Sequence, residues 1–140
     1  MNTIFVPYRI CPIGAHIDHQ KGKVLGLTID KGTILKFKKT IGKIKIKSLN
    51  FNEISEFYID EIPEKNGKWD DLLKGCVYIL KEKFKIKYGI EGEIYGELPS
   101  GGIGSSASTG LSYLIALEYI NGIKISEIEN IFLFKEVENN

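Results

Sequence analysis

The sequence predicts an α+β fold, a sheet with helices packed on one face. Three observations carry this expectation. Short apolar runs with a period of two fill the first part of the chain, bounded by turn residues. From Trp69 onward the apolar spacing changes to that of a helix. One further alternating run, 88–98, then stands between helical segments, so strands come first and helices follow.

The elements follow in order. "TIFVPYRI" (3–10) reads as a strand with Pro7 near a bend. "VLGLTI" (24–29) and "TILKFK" (33–38) are short strands around the turn signal Asp30-Lys31-Gly32. "KIKIKSL" (43–49) alternates strictly, placing Ile44 and Ile46 inward and Lys43, Lys45 and Lys47 outward. "ISEFYI" (54–59) is a further strand, and 63–67 is a loop. Leu73, Val77, Leu80 and Phe84 then form a helical stripe, widened by Leu72, Cys76 and Ile79. Asp70 and Asp71 fall in its first turn, and Lys81 and Lys83 in its last, as the helix dipole favours. A helix spans 105–120 and stops at Asn121-Gly122, and Ser126 opens another.

Composition narrows the function classes. At 140 residues and 43% hydrophobic, the chain suits one globular domain with its own core. Its formal net charge of +1 points to no polyanionic partner. Lys36, Lys38, Lys39, Lys43, Lys45 and Lys47 could form a basic RNA-binding face, but only Phe37 lies among them, and a solvated strand face is the plainer expectation. No apolar run approaches the ~18 residues of a membrane helix, and the N-terminus lacks the pattern of a secretory leader. Cys11 and Cys76 fit no metal or disulfide spacing, and they predict reduced, packed thiols in a cytoplasmic protein.

Two stretches concentrate chemistry. "ELPSGGIGSSASTGL" (97–111) runs from a strand through a glycine-rich loop into a helix start. Helix N-termini carry unpaired N–H groups and partial positive charge, which favour phosphate. Gly101, Gly102 and Gly104 allow close main-chain approach to an anion. Ser105, Ser106 and Ser108 could cap the helix, donate to phosphate oxygens or ligate Mg²⁺. No lysine follows in the manner of a Walker loop, and a glycine turn with serine caps would need no ligand. The second stretch, "YRICPIGAHIDHQKGKVLGLTID" (8–30), gathers Arg9, His16, Asp18, His19 and Gln20. A metal site there would lack further ligands. A loop for a polyhydroxylated ligand suits it better, since a carboxylate accepts from adjacent hydroxyls and Arg9 presents a planar fork to an oxyanion. A polar surface turn is the bland alternative.

Together the two stretches resemble the motifs of the GHMP kinases, and within them the galactokinase family. "PSGGIGSSAS" (99–108) is similar to the family's P-x-x-G-[LI]-G-S-S-[AS] phosphate loop, and "RICPIGAHIDHQKG" (9–22) to its R-x-N-L-I-G-E-H-T-D-Y-N-G-G sugar signature. The resemblance covers the whole chain, 1–140, as an N-terminal GHMP kinase domain with a sugar segment at 8–30 and an ATP phosphate segment at 97–110. It implies a mixed sheet, a fold shared with a ribosomal protein domain, and an ATP-dependent kinase for an anomeric sugar hydroxyl. It assigns Arg9 to the transferred phosphate, and Ala15, His16, Asp18 and His19 to the sugar. Pro99, Gly101, Gly102, Ile103, Gly104, Ser105, Ser106 and Ala107 go to the nucleotide, with Ser105 and Ser106 near Mg²⁺.

The departures from the pattern are informative. Ala15 stands where galactokinases carry a glutamate facing the sugar's C6 end. Such a glutamate would repel a C6 carboxylate by on the order of 1–4 kcal/mol at ~4 Å. Its absence favours a uronic acid, and the wording is closer to the galacturonokinase branch, with galactose as the alternative. Gly104 departs from the usual loop and leaves open which serine meets the metal. The family's G-x-x-D-Q motif, with the aspartate that meets the attacking hydroxyl, is expected beyond Asn140. The 140-residue chain is thus expected to be an incomplete kinase, inactive alone; a non-catalytic sugar- and nucleotide-binding protein of the same family is the alternative. Trp69 is expected only to pack the start of its helix.

Overall fold

The computed structural model describes residues 1–8, 31–96 and 105–139. They form a five-stranded mixed sheet with three helices on one face. The strands are β1 (Asn2–Pro7), β2 (Gly32–Ile41), β3 (Lys43–Ser48), β4 (Glu53–Tyr58) and β5 (Tyr88–Gly96). The helices are α1 (Asp71–Phe84), α2 (Ser105–Asn121) and α3 (Glu127–Asn139). The α+β class and the helix-covered mixed sheet agree with the expectation from sequence. The expected strand at 24–29 lies outside the described residues.

The sheet order is β1-β2-β5-β3-β4, with β3 and β5 parallel and every other pair antiparallel. β2 and β3 are joined through Gly42, yet β5 lies between them. The link wraps the start of β5, and two glycines make room for it. Gly42 takes a φ of 74°, in the left-handed region. A Cβ on Gly89 would lie 2.0 Å from the Lys43 carbonyl oxygen.

The period-two pattern sorts the sheet faces. Leu35, Phe37, Ile44, Ile46, Ile90 and Ile94 are buried beneath the helices. On the opposite face, the strand registers place Glu91 and Glu93 of β5 beside Lys38 and Lys36 of β2, and beside Lys45 and Lys47 of β3. Lys43 meets Glu56 at 2.6 Å. The lysines read from sequence as a basic face are therefore interleaved with acids, which cross-strand pairing favours.

α2 is the central helix. It lies across β1, β2 and β5, and α1 and α3 pack against it and each other. Small residues permit this. A Cβ on Gly110 would lie 2.2 Å from the Phe134 ring of α3, so α3 seats directly on the α2 backbone. In α1, Leu73, Cys76, Val77, Ile79 and Leu80 are buried as the helical period predicts. Phe84, assigned to the same stripe, is instead 39% exposed, because it closes the last turn beyond the core. Gly122 has a φ of 70°, which bears out the expected stop of α2.

Candidate functional site

The site begins where α2 begins. The helix opens at Ser105, directly after the glycine-rich segment, and its first turn carries no acidic residue. The partial positive charge of this end is thus not neutralised from within. Ser106 is exposed and Ala107 half-buried. Ser108, which the sequence offered as a phosphate or metal contact, is employed otherwise. It is buried, its hydroxyl donates to the Val6 carbonyl at 2.6 Å, and it lies 2.8 Å from the Thr33 hydroxyl. Thr33 in turn is 3.3 Å from the Thr109 hydroxyl. This hydroxyl cluster fastens the first turns of α2 to β1 and β2.

Beside this helix end lies a cleft of about 380 Å³, lined by Tyr8, Ser48, Asn50, Phe51, Trp69, Leu72, Ile94, Gly96, Ser106, Thr109 and Tyr113. Four backbone segments converge on it: the end of β1, the β3–β4 turn, the end of β5 and the start of α2. A fifth, the loop before α1, contributes Trp69. The aromatic and aliphatic side chains make the walls chiefly apolar, with hydroxyls from Ser48, Ser106 and Thr109 among them. Burial pushes the Tyr113 phenol far above its usual range, so it meets the cleft as a neutral group.

Trp69 is held by a built loop. Its indole N–H donates to Glu53 Oε1 at 2.8 Å. The next residue, Asp70, accepts from the Ser55 hydroxyl at 2.7 Å, joining the loop to β4. Asp71 accepts from the Asn66 and Gly67 N–H groups at 2.9 and 2.7 Å. Burial alone would raise the Asp71 carboxyl, but those N–H groups and Lys74 outweigh it, and its pKa falls below the usual value. The Lys74 ammonium is buried, 3.7 Å from Asp70 and 3.8 Å from Asp71, and donates to the Glu64 carbonyl at 3.1 Å. The expectation that Trp69 merely packs its helix is thus too narrow, since it is a wall of the cleft. Its place depends on Glu53 and Ser55 of β4, which no local spacing reveals.

Among the residues assigned from sequence, the structure places Ser106 on the cleft and Ala107 against the core. Ser105 is placed as the first residue of α2. Arg9, Ala15, His16, Asp18, His19, Pro99, Gly101, Gly102, Ile103 and Gly104 lie outside the described residues. Tyr8 and Gly96, the residues next to those two segments, both line the cleft. Among the described residues no group of three or more His, Cys, Asp or Glu side chains is arranged to hold a metal. No helix among them is long and apolar enough to cross a membrane.

Fold and motifs together define a class. The sequence profile of the GHMP kinases N terminal domain matches residues 71–140, and the chain belongs to the GHMP kinase family. It is similar to a galacturonokinase from Arabidopsis thaliana, 38% identical across 99% of this chain and 38% of that protein. It is also similar to a galactokinase from Pyrococcus furiosus, 36% identical across 98% of this chain and 39% of that protein. Among solved structures, Lactococcus lactis galactokinase complexed with galactose superposes with a TM-score of 0.79 at 31% identity, over 98% of this chain and 37% of that one. A mevalonate kinase shares the fold, with a TM-score of 0.75 at 20% identity. The chain spans about two fifths of the length of the curated relatives it matches.

Proposed function

We propose that this chain is the N-terminal domain of an ATP-dependent sugar-1-kinase, with a sugar segment at 8–30, a phosphate segment at 97–110, and galacturonate as the sugar. The observation that carries the reading is the cleft itself. An apolar, aromatic-walled pocket of about 380 Å³ lies against the start of α2 and the end of β5, and the glycine-rich segment joins those two elements. A pocket of that size and character suits a flat base, and a helix start without acidic residues suits phosphates. Trp69 and Phe51 would flank adenine, while 99–107 would hold the triphosphate. Mg²⁺ would be carried mainly by phosphate oxygens, as this ion prefers, with the exposed Ser106 hydroxyl, or that of Ser105, as protein ligand.

The chemistry is phosphoryl transfer by positioning and electrostatics. The anomeric oxygen bonds to the γ-phosphorus, the bond to the β-phosphate oxygen breaks, and ADP leaves. Arg9 would stabilise charge at the transferred group, and His16, Asp18 and His19 would orient the sugar. No residue of this chain is assigned the hydroxyl proton. A galacturonokinase as relative and Ala15 in place of glutamate both favour the uronate over galactose.

Trp69 is the chain's only tryptophan, which supplies the test. MgATP should quench its fluorescence saturably, and galacturonate should bind more tightly than galactose by calorimetry. An unchanged spectrum at millimolar MgATP would remove the nucleotide reading. Equal affinities for the two sugars would remove the uronate reading. Binding of both ligands without ADP release, in a chain that includes an aspartate of the G-x-x-D-Q type, would favour a non-catalytic binding protein.

A further inference from the structure

We infer that Glu53 is a positioning residue for the base, acting through the indole of Trp69; the inference rests on the nucleotide reading above. Alternation along β4 puts 53, 55 and 57 on one face of the strand. Phe57 is buried in the core beneath the helices. Ser55 and Glu53 lie further toward the β3–β4 turn, where the strand meets the loop before α1. Both are polar, and each holds one residue of that loop. The Ser55 hydroxyl donates to Asp70 Oδ2 at 2.7 Å, and the Trp69 indole N–H donates to Glu53 Oε1 at 2.8 Å. Alternate residues of the strand thus grip consecutive residues of the loop. Two such points fix the direction of a side chain as well as its place.

Trp69 is a wall of the cleft, and Glu53 is not among the residues that line it. In the β3–β4 register Glu53 stands opposite Ser48, which does line it. The carboxylate therefore acts on the cleft through the indole. An indole has a single hydrogen-bonding atom, its N–H, and Glu53 occupies it. Trp69 thus offers the cleft ring carbons and no donor, which suits stacking on a flat base. The bond is exposed to solvent, so it adds little to the stability of the fold. The loop also has holds that do not involve Glu53. Asp71 accepts from the Asn66 and Gly67 N–H groups, Lys74 donates to the Glu64 carbonyl, and Trp69 itself packs against the core. Loss of the Glu53 bond alone leaves the loop in place and frees the ring to turn. A ring that must be ordered as the base arrives costs affinity, and one set in advance does not.

The test uses the chain of this sequence with E53A and E53Q. Affinity for adenosine is read by calorimetry, freedom of the Trp69 ring by fluorescence anisotropy, and the fold by the thermal midpoint. E53A should lower the anisotropy and weaken adenosine binding about fivefold, with a midpoint within about 2 °C of the unsubstituted chain. E53Q keeps an oxygen that can accept from the indole, so it should restore the anisotropy and hold the affinity within about twofold. E53A that binds adenosine as the unsubstituted chain does, or that leaves the anisotropy unchanged, would overturn the inference and leave the nucleotide reading standing. Equal losses in E53A and E53Q would assign the effect to charge and not to the indole bond, and would overturn it too. So would a midpoint that collapses in E53A, which would make Glu53 a fold determinant. If the unsubstituted chain bound neither adenosine nor MgATP, the nucleotide reading would fail, and this inference with it.

Discussion

The two ends of β5 are held in the same way and put to different use. At its start, Asn121 of α2 donates to the Tyr88 and Leu117 carbonyls at 3.0 and 2.8 Å and accepts from the Tyr88 and Lys87 N–H groups at 3.0 and 3.2 Å. All four hydrogen-bonding positions of that amide are filled. At its end, Asn50 makes two bonds with Gly96, and both are exposed to solvent. One clasp ties a helix end to a strand within the scaffold. The other sits at the mouth of a cleft, beside a glycine-rich segment. The chemistry is shared, and burial and neighbours decide whether it sits within the scaffold or at the edge of a cleft.

The glycines at the two ends offer the sharpest way to break this comparison. At Gly89 the atom met by a new Cβ is the Lys43 main-chain oxygen, at 2.0 Å. Main chain cannot step aside without moving the link between β2 and β3. G89A should therefore cost ~3 kcal/mol or more in unfolding free energy, read from the denaturant midpoint. At Gly96 the atom met is a side-chain hydroxyl, at 2.8 Å, which has more freedom to yield. G96A should cost ~1 kcal/mol. A smaller loss for G89A than for G96A would contradict the assignment of the β5 start to the scaffold.

The asparagines give the next contrast. N121A removes four bonds and leaves half-buried main-chain groups without partners, so it should cost ~2–4 kcal/mol. N50A removes two bonds in water and should cost less than ~1 kcal/mol. Equal shifts in thermal midpoint for the two variants would mean that the exposed clasp is as much a part of the scaffold as the half-buried one.

These clasps also mark what the sequence could reveal. Alternation in "KIKIKS" placed Ile44 and Ile46 in the core, and the spacing of Leu73, Val77 and Leu80 placed α1, because both signals are local periods. Asn121-Gly122 was legible as a helix stop for the same reason. That the Asn121 amide reaches Tyr88 was not, since the partners lie 33 residues apart. The insertion of β5 between β2 and β3 is likewise a long-range pairing that no window reports. For the site, the glycine-rich segment and its helix start were legible as an anion-binding pattern. The cleft beside them was not, because Phe51, Trp69, Leu72 and Tyr113 come from segments far apart in sequence. The sequence left Ser108 open among cap, phosphate and metal roles, and its tether to β1 was not legible because Val6 lies 102 residues away. Arg9, His16 and Asp18 rest on their side-chain chemistry and the resemblance, and lie outside the described residues.

A third asparagine extends the comparison to an ionisable partner. Asn130 of α3 donates to Glu118 Oε1 of α2 at 2.9 Å, and both side chains are buried. Glu118 Oε2 and Asn130 Oδ1 have no hydrogen-bond partner among the described residues. Burial pushes the Glu118 carboxyl up to about 7, against the opposing pull of the Asn130 bond. Cys76 of α1 is near enough to feel Glu118, its thiol meets the Gly110 carbonyl at 3.5 Å, and burial pushes that thiol far up, so it stays uncharged. In the unfolded chain Glu118 loses its proton near its ordinary value of 4.5. Between that pH and about 7 the folded state therefore holds the extra proton. Stability from this group is full below the unfolded pKa and is lost as pH rises through the folded one. E118Q replaces the acid with an amide that can accept from Asn130 Nδ2 and donate to Asn130 Oδ1 without titrating. The unsubstituted chain should lose ~2 kcal/mol, several degrees in thermal midpoint, between pH 5 and 8, whereas E118Q should show no such loss and be the more stable of the two at pH 8. A pH-dependent midpoint that persists in E118Q would assign the titration elsewhere, and would leave Asn130 as a purely structural clasp like that of Asn121.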